Sequence, residues 1–255
     1  MCSREKALKD MCRMPCISGI NPVAEAGFPD VICPVVFLSG CNLRCAYCLN
    51  SSIVSEKPKS DMTVDGVLEY LKENEEDTIL VSGGEPCMSE SLLPFVRALV
   101  GGGISVRLAT NGSFPRVVND LILNGLISFV ALDIKFDVFS DRFPDDVAEL
   151  VGTSDVSTYA NNVRDSVDLM EAHSGNGKIG CEYRTTLYPP LIGEREIRGI
   201  SHWLGREATW VLQQYRDADG CGFGGAKAKP YGRKTVDELL GVAKALIHNT
   251  YLREP

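Results

Sequence analysis

The 255-residue chain is long enough to bury one substantial core, and its 44% hydrophobic and 24% charged residues are those of an ordinary globular protein. A net charge of −8 argues against a broad nucleic-acid footprint. No apolar run approaches the length of a membrane span, and the N-terminal MCSREKALKDMCRMPC offers no apolar core for a signal peptide, so a cytosolic protein is expected.

From Val35 onward short β-type runs alternate with helical ones, the pattern of βαβ units and a parallel sheet. VVFLSG (35–40) reads as a buried strand. Thr63 caps a helix running to about Glu73, and TILVS (78–82) is a second strand that ends in Gly83-Gly84. A helix from about Leu92 to Val100 stops at a glycine run, and SVRLAT (105–110) is the third strand. Pro115 and Gly125 bracket the next helix, and FVALDI (129–134) is continuous enough in apolar residues to be a doubly covered strand. Lys135 to Asp155 is polar and irregular, a candidate lid or partner-binding segment. A helix at about 158–173, a strand at 179–186, a helix at 194–204 and the strand WVLQQY (210–215) follow, then a glycine-rich stretch and a last helix from about Thr235. Six β/α units fall short of the eight that close a full barrel, so the expected fold is α/β: a partial (β/α)6 TIM-like barrel, a parallel sheet with outer helices. The expected organisation is an N-terminal extension (1–34), a barrel core (35–216), and a Gly-rich connector with a C-terminal helix (217–255).

The chemistry is written in the cysteines. There are ten, and in a reducing compartment their clustering points to metal or redox work rather than disulfides. Cys41, Cys45 and Cys48 follow the first strand directly, on the loop face where such barrels keep their sites. Three thiolates at this spacing can hold three corners of a cubane. No local fourth cysteine or histidine completes a structural zinc site, so one iron is left open to an exogenous ligand.

C-x3-C-x2-C with an aromatic at Tyr47 resembles the radical S-adenosylmethionine (SAM) signature. The resemblance implies a [4Fe–4S] cluster and SAM as cofactors, with reductive cleavage of SAM to methionine and a 5′-deoxyadenosyl radical. It covers roughly 35–216. Gly83-Gly84-Glu85-Pro86 is similar to the family motif that holds the SAM methionine amine, and Glu85 is expected to accept from that ammonium group. Thr110, Asn111 and Gly112, with Asp133 and Lys135 of D-x-K, resemble the branch that activates glycyl radical enzymes, where such residues line the SAM carboxylate and ribose. That branch often has Asp before TNG. Here the position is Ala109, which puts a monovalent cation site in doubt. RTT (184–186) and LQQY (212–215) look like the anaerobic ribonucleotide reductase activating proteins. Arg184 is a candidate for the SAM carboxylate or a substrate anion, or for an ordinary ion pair.

These resemblances imply a glycyl radical enzyme as protein substrate and an electron donor such as flavodoxin or ferredoxin. Two other readings stand beside this one. One keeps the chemistry on a small molecule or peptide, as in the radical SAM enzymes that make deazapurines. The other is a non-catalytic iron–sulfur or zinc module. Cys12-x3-Cys16 with Cys2 or Cys33 could hold an auxiliary cluster, though plain thiols explain them as well. GCGFGG (220–225) has a weak phosphate-loop look without a strand-then-helix setting and reads better as a flexible connector.

Overall fold

The computed structural model describes residues 15–25, 31–54, 62–140, 145–217, 222–223 and 228–254. Cys2, Cys12 and Cys221, and most of GCGFGG, lie outside them.

Strands β1 (Ile17–Glu25), β2 (Ile32–Leu38), β3 (Thr78–Gly83), β4 (Ser105–Thr110), β5 (Phe129–Asp133), β6 (Gly180–Leu187), β7 (Trp210–Gln214) and β8 (Thr250–Arg253) form one sheet in sequence order. Every pair from β2 to β8 is parallel, and β1 joins the β2 edge antiparallel. The sheet is not closed: β1 and β8 are its two edges. The expected partial α/β barrel is therefore present, its six strands being β2–β7, with one further strand at each edge. Within the N-terminal segment Ile17–Glu25 forms β1, and within the C-terminal segment Thr250–Arg253 forms β8.

Helices α1 (Val64–Glu73), α2 (Leu92–Gly101), α3 (Pro115–Leu123), α4 (Asp145–Val151), α5 (Val156–Ser174), α6 (Glu194–Trp203) and α7 (Arg233–Leu246) connect the strands. Local chemistry starts several of them. Thr63 caps α1 by accepting from the Gly66 N–H at 3.1 Å, Pro115 opens α3, and Asp155 caps α5 by accepting from Thr158 N–H at 3.0 Å.

Alternation along the strands divides the sheet into two chemically different faces. Val36, Leu38, Ile79, Val81, Val106, Leu108, Val130 and Leu132 enter the main core with Leu92, Phe95 and Leu99 of α2 and Val118 and Leu121 of α3. Each such side chain contributes about 2 kcal/mol by leaving water. The residues between them face inward. Cys33, Val35 and Leu80 make a small apolar floor. Above it come charged and polar residues: Arg107, stacked 3.8 Å over the Phe129 ring, then Glu182, Arg184 and Thr186 on β6. A polar concave face in a sheet covered outside by helices leaves one place for ligands, at the C-terminal ends of the strands.

The segment 135–155 is better packed than its composition suggests. Phe136, Val138, Val147 and Val151 are buried, and α4 follows residues 141–144, which lie outside the described ones. No helix among the described residues is long and apolar enough to cross a membrane.

Candidate functional site

One cavity of about 430 Å³ opens at the strand ends. Cys41, Cys45 and Cys48 line it with Tyr47, Gly83, Gly84, Thr110, Asn111, Asp133, Lys135 and Arg184. The sequence thus brings eleven of its twelve candidate residues to one space. Glu85 is the twelfth, and it lies behind the wall.

The cysteine loop leaves β2 through Ser39-Gly40. It is pinned from several directions: the Gly40 N–H donates to Ile53 O at 3.0 Å, and the Asn50 amide donates to Gly83 O at 2.8 Å. Gly84 shows why glycine stands there. Its N–H donates to Leu38 O at 3.0 Å, and a Cβ on it would fall 1.9 Å from the Gly40 carbonyl oxygen. The β3 turn is pressed onto the β2 turn, and only bare backbone fits between them.

Glu85 completes this junction from behind. It is 1% exposed, with Oε1 accepting from Cys87 N–H at 2.9 Å and Thr110 Oγ1 at 2.8 Å, and Oε2 from Asn111 N–H at 2.6 Å. Burial pushes its carboxyl up, while the three donors pull it back. The carboxylate therefore ties the end of β3 to the end of β4. In this arrangement Glu85 already accepts from three protein donors, and it is the Gly83-Gly84 backbone that lines the cavity.

Asn111 is similarly committed. Its amide donates to Asn42 Oδ1 at 3.0 Å and approaches Cys41 Sγ at 3.8 Å, its Oδ1 accepts from Ser113 N–H at 2.9 Å, and its carbonyl accepts from Tyr159 Oη at 3.0 Å. Asn111 thus orients the cysteine loop from the β4 side.

On the opposite wall Lys135 pairs with Asp133 at 3.1 Å. Burial works against its charge, but Asp133 together with Tyr47, Cys45 and Tyr159 outweighs this, and the ammonium stays well above the ordinary lysine range. Tyr47 stacks on Tyr188 with centroids 4.8 Å apart, and Tyr188 meets Tyr215 edge-on at 5.0 Å. Further along, Glu182 is wholly buried between two guanidiniums: Arg184 Nε bonds its Oε1, and Arg253 Nη1 lies 3.9 Å away. Arg184 Nη2 is buried without a hydrogen-bond partner.

Whether the residues suit a cubane can be judged from the donors. All three cysteines are free thiols lining one cavity, and burial pushes Cys41 up to about 11 and Cys45 up to about 12. Among the described residues no three His, Cys, Asp or Glu side chains gather closely enough to share one metal ion. A cubane makes no such demand, since its thiolates bind three different irons. Three thiols, no local fourth ligand and an adjoining cavity fit a cluster with one open corner. Cys16 and Cys33 are also free thiols.

Several supports carried no signal in the sequence reading: Asn42, Asn50, Arg44, Arg253 and the pair Gly222-Phe223. The last could have been suspected from its glycine, since a positive φ and a close backbone approach both favour that residue.

The likenesses to known proteins agree with this geometry. The chain is 30% identical over 242 residues to a Methanocaldococcus jannaschii protein named "Putative glycyl-radical enzyme activating enzyme", covering 93% of this chain and 95% of that one. It is 34% identical over 204 residues to the 7-carboxy-7-deazaguanine synthase of Koribacter versatilis, covering 76% and 86%. Among solved structures, QueE from Escherichia coli superposes over 100% of this chain and 99% of its own, with TM-score 0.54 and 15% identity. Streptococcus suis SuiB bound to precursor peptide SuiA gives TM-score 0.61 at 14% identity over 86% of this chain, which spans about half of SuiB (48%). Both structures support the fold alone. The profile of the Radical SAM superfamily matches residues 35–189, and with the cysteine loop, the glycine turn and the open sheet in place, the chain belongs to that superfamily.

Proposed function

We propose that this radical SAM enzyme is an activase, which takes a hydrogen atom from a glycine of a partner protein and leaves a glycyl radical there. The observation that carries this reading is the end-to-end likeness to the M. jannaschii protein, over 93% of one chain and 95% of the other. The unclosed sheet supports it, because a polypeptide loop must reach the cavity from outside.

Cys41, Cys45 and Cys48 would hold a [4Fe–4S] cluster, and that group, when bound and reduced, would supply one-electron chemistry for reductive cleavage of SAM. The chain's own residues do the positioning. Gly83 and Gly84 offer backbone to the methionine end of SAM, held there by Glu85 and Asn50. Asp133 and Lys135 line the same cavity and offer an acceptor and a donor to polar groups of SAM. Tyr47, Tyr188 and Tyr215 form an aromatic wall that limits water around the reacting atoms. A low-potential donor such as flavodoxin or ferredoxin would provide the electron.

The test is anaerobic reconstitution followed by SAM, dithionite and a candidate glycyl radical enzyme. The reading requires 5′-deoxyadenosine release together with a glycyl doublet in the electron paramagnetic resonance (EPR) spectrum of the partner. Deoxyadenosine without any partner radical would remove the activase assignment and keep the SAM chemistry.

One observation favours a second reading, a small anionic substrate. Arg184 lines the cavity, and a carboxylate there would pair with its guanidinium. The deazaguanine synthase relative makes that substrate class the natural alternative. Deoxyadenosine release driven by a small carboxylate-bearing metabolite alone, and lost in Arg184→Ala, would decide for it.

A further inference from the structure

The cysteine loop is supported by its neighbours on β3 and β4, but also on a side that the SAM-facing residues do not reach. Arg44 N–H donates to the Val151 and Gly152 carbonyls, both at 3.2 Å, and Ala46 N–H to Leu150 O at 2.9 Å, so the end of α4 runs along one side of residues 44–46. Along the other, Gly222 N–H donates to Cys48 O at 2.9 Å and Phe223 N–H to Cys45 O at 3.2 Å. Gly222 has φ +89°, and a Cβ on it would lie 2.1 Å from the Ala46 carbonyl oxygen. This contact is as close as the one at Gly84, and no side chain could replace it without moving the loop.

Arg44 joins the two sides. Its Nη1 donates to the Cys41 and Leu43 carbonyls at 2.8 and 2.9 Å, and its guanidinium lies 5.5 Å from the centre of the Phe223 ring. A cation over an aromatic face attracts it, more strongly as water is excluded. The carbonyls engaged by Arg44, Gly222 and Phe223 belong to all three cysteines and to Leu43 between them.

We propose that Gly222 and Phe223, clasped by Arg44, are positioning residues for the iron–sulfur cluster: they hold the Cys45–Cys48 limb of the loop in its ligating shape and keep water from it. The inference rests on the reading of Cys41, Cys45 and Cys48 as cluster ligands. Outer partners of metal ligands typically change metal affinity by about 10- to 100-fold when lost. Excluding water also tunes the electron, since the reduced cluster carries one more negative charge, which water stabilises.

The experiment compares full-length wild type, Phe223→Ala, Phe223→Tyr and Arg44→Gln, each reconstituted anaerobically. Two quantities are read: the rate at which an iron chelator strips the cluster, and the midpoint potential from EPR-monitored titration. The expected result is iron loss about 10-fold faster and a potential moved upward in Phe223→Ala, the same direction in Arg44→Gln, and wild-type values in Phe223→Tyr. Should Phe223→Ala fail to fold, Arg44→Gln against Phe223→Tyr still decides. Wild-type stripping rate and potential in Phe223→Ala, or in Arg44→Gln, would overturn the proposal. If wild type itself takes up no cluster, it is the ligand assignment that fails.

Discussion

Replacing Glu85 by Ala separates a carboxylate that binds a ligand from one that binds the fold. The substitution removes the acceptor of two buried backbone N–H groups, Cys87 and Asn111, and of the Thr110 hydroxyl. A buried donor left without a partner costs about 1–3 kcal/mol. Thr110 Oγ1 keeps its contact as acceptor from Gly112 N–H at 3.2 Å, so the two orphaned N–H groups dominate and the expected loss is about 3–5 kcal/mol. In a chain of this length each kcal/mol shifts the melting temperature by about 2–4 °C, giving a fall of about 10 °C in the metal-free protein. Glu85→Gln should fall between. One oxygen can still serve Cys87 and Thr110, but the amide NH2 then faces the Asn111 N–H, donor against donor. The assay is thermal unfolding by circular dichroism without iron or SAM, paired with SAM binding by the reconstituted protein. A Glu85→Ala protein that melts within about 2 °C of wild type yet loses SAM affinity would refute the reasoning, because the carboxylate would then be acting on the ligand.

Other consequences are open to test. Cys45→Ala should prevent assembly of the cluster, seen as loss of iron and of the reduced-state EPR signal, with the apoprotein still folded by circular dichroism. Gly84→Ala should displace the cysteine loop, because its Cβ would fall 1.9 Å from Gly40 O; iron content after reconstitution should drop severalfold, and full loading would contradict the close approach. At the start of α5, backbone and side-chain hydrogen bonds from Thr158 hold Asp155 below the ordinary carboxylate range. Its folded pKa being depressed, the cap stabilises above the unfolded pKa and is lost as pH falls through the folded one. Protection of the first-turn amides of α5, taken relative to the intrinsic exchange rate at each pH, should fall on acidification in wild type, and much less in Asp155→Asn. Protection equally pH-sensitive in both would remove the cap from the explanation.

The sequence discloses strands β2 to β7 because each is a short apolar run bounded by turn residues, and it discloses the cysteine loop because three thiols at that spacing have few other uses. Other parts were hidden for physical reasons. Strand β1 contains Gly19 and Pro22, poor strand formers that an edge tolerates, and its register slips twice along β2. Strand β8 has four residues, too few for a period to show. In α4, DDVAELV is short and acidic, and its position is set by the loop it supports rather than by its own propensity. Glu85 illustrates a different gap: a motif names the residue, whereas only the fold shows which way its carboxylate turns.

The pairing of Cys48 with Gly222 also bears on time. The cysteines lie in the first fifth of the chain, and the backbone that seats against them arrives near its end. During synthesis the thiols leave the ribosome long before that seat exists. The shape of the cysteine loop is thus a property of the tertiary fold, set by a pairing between residues 48 and 222 far apart in sequence, rather than of the loop alone.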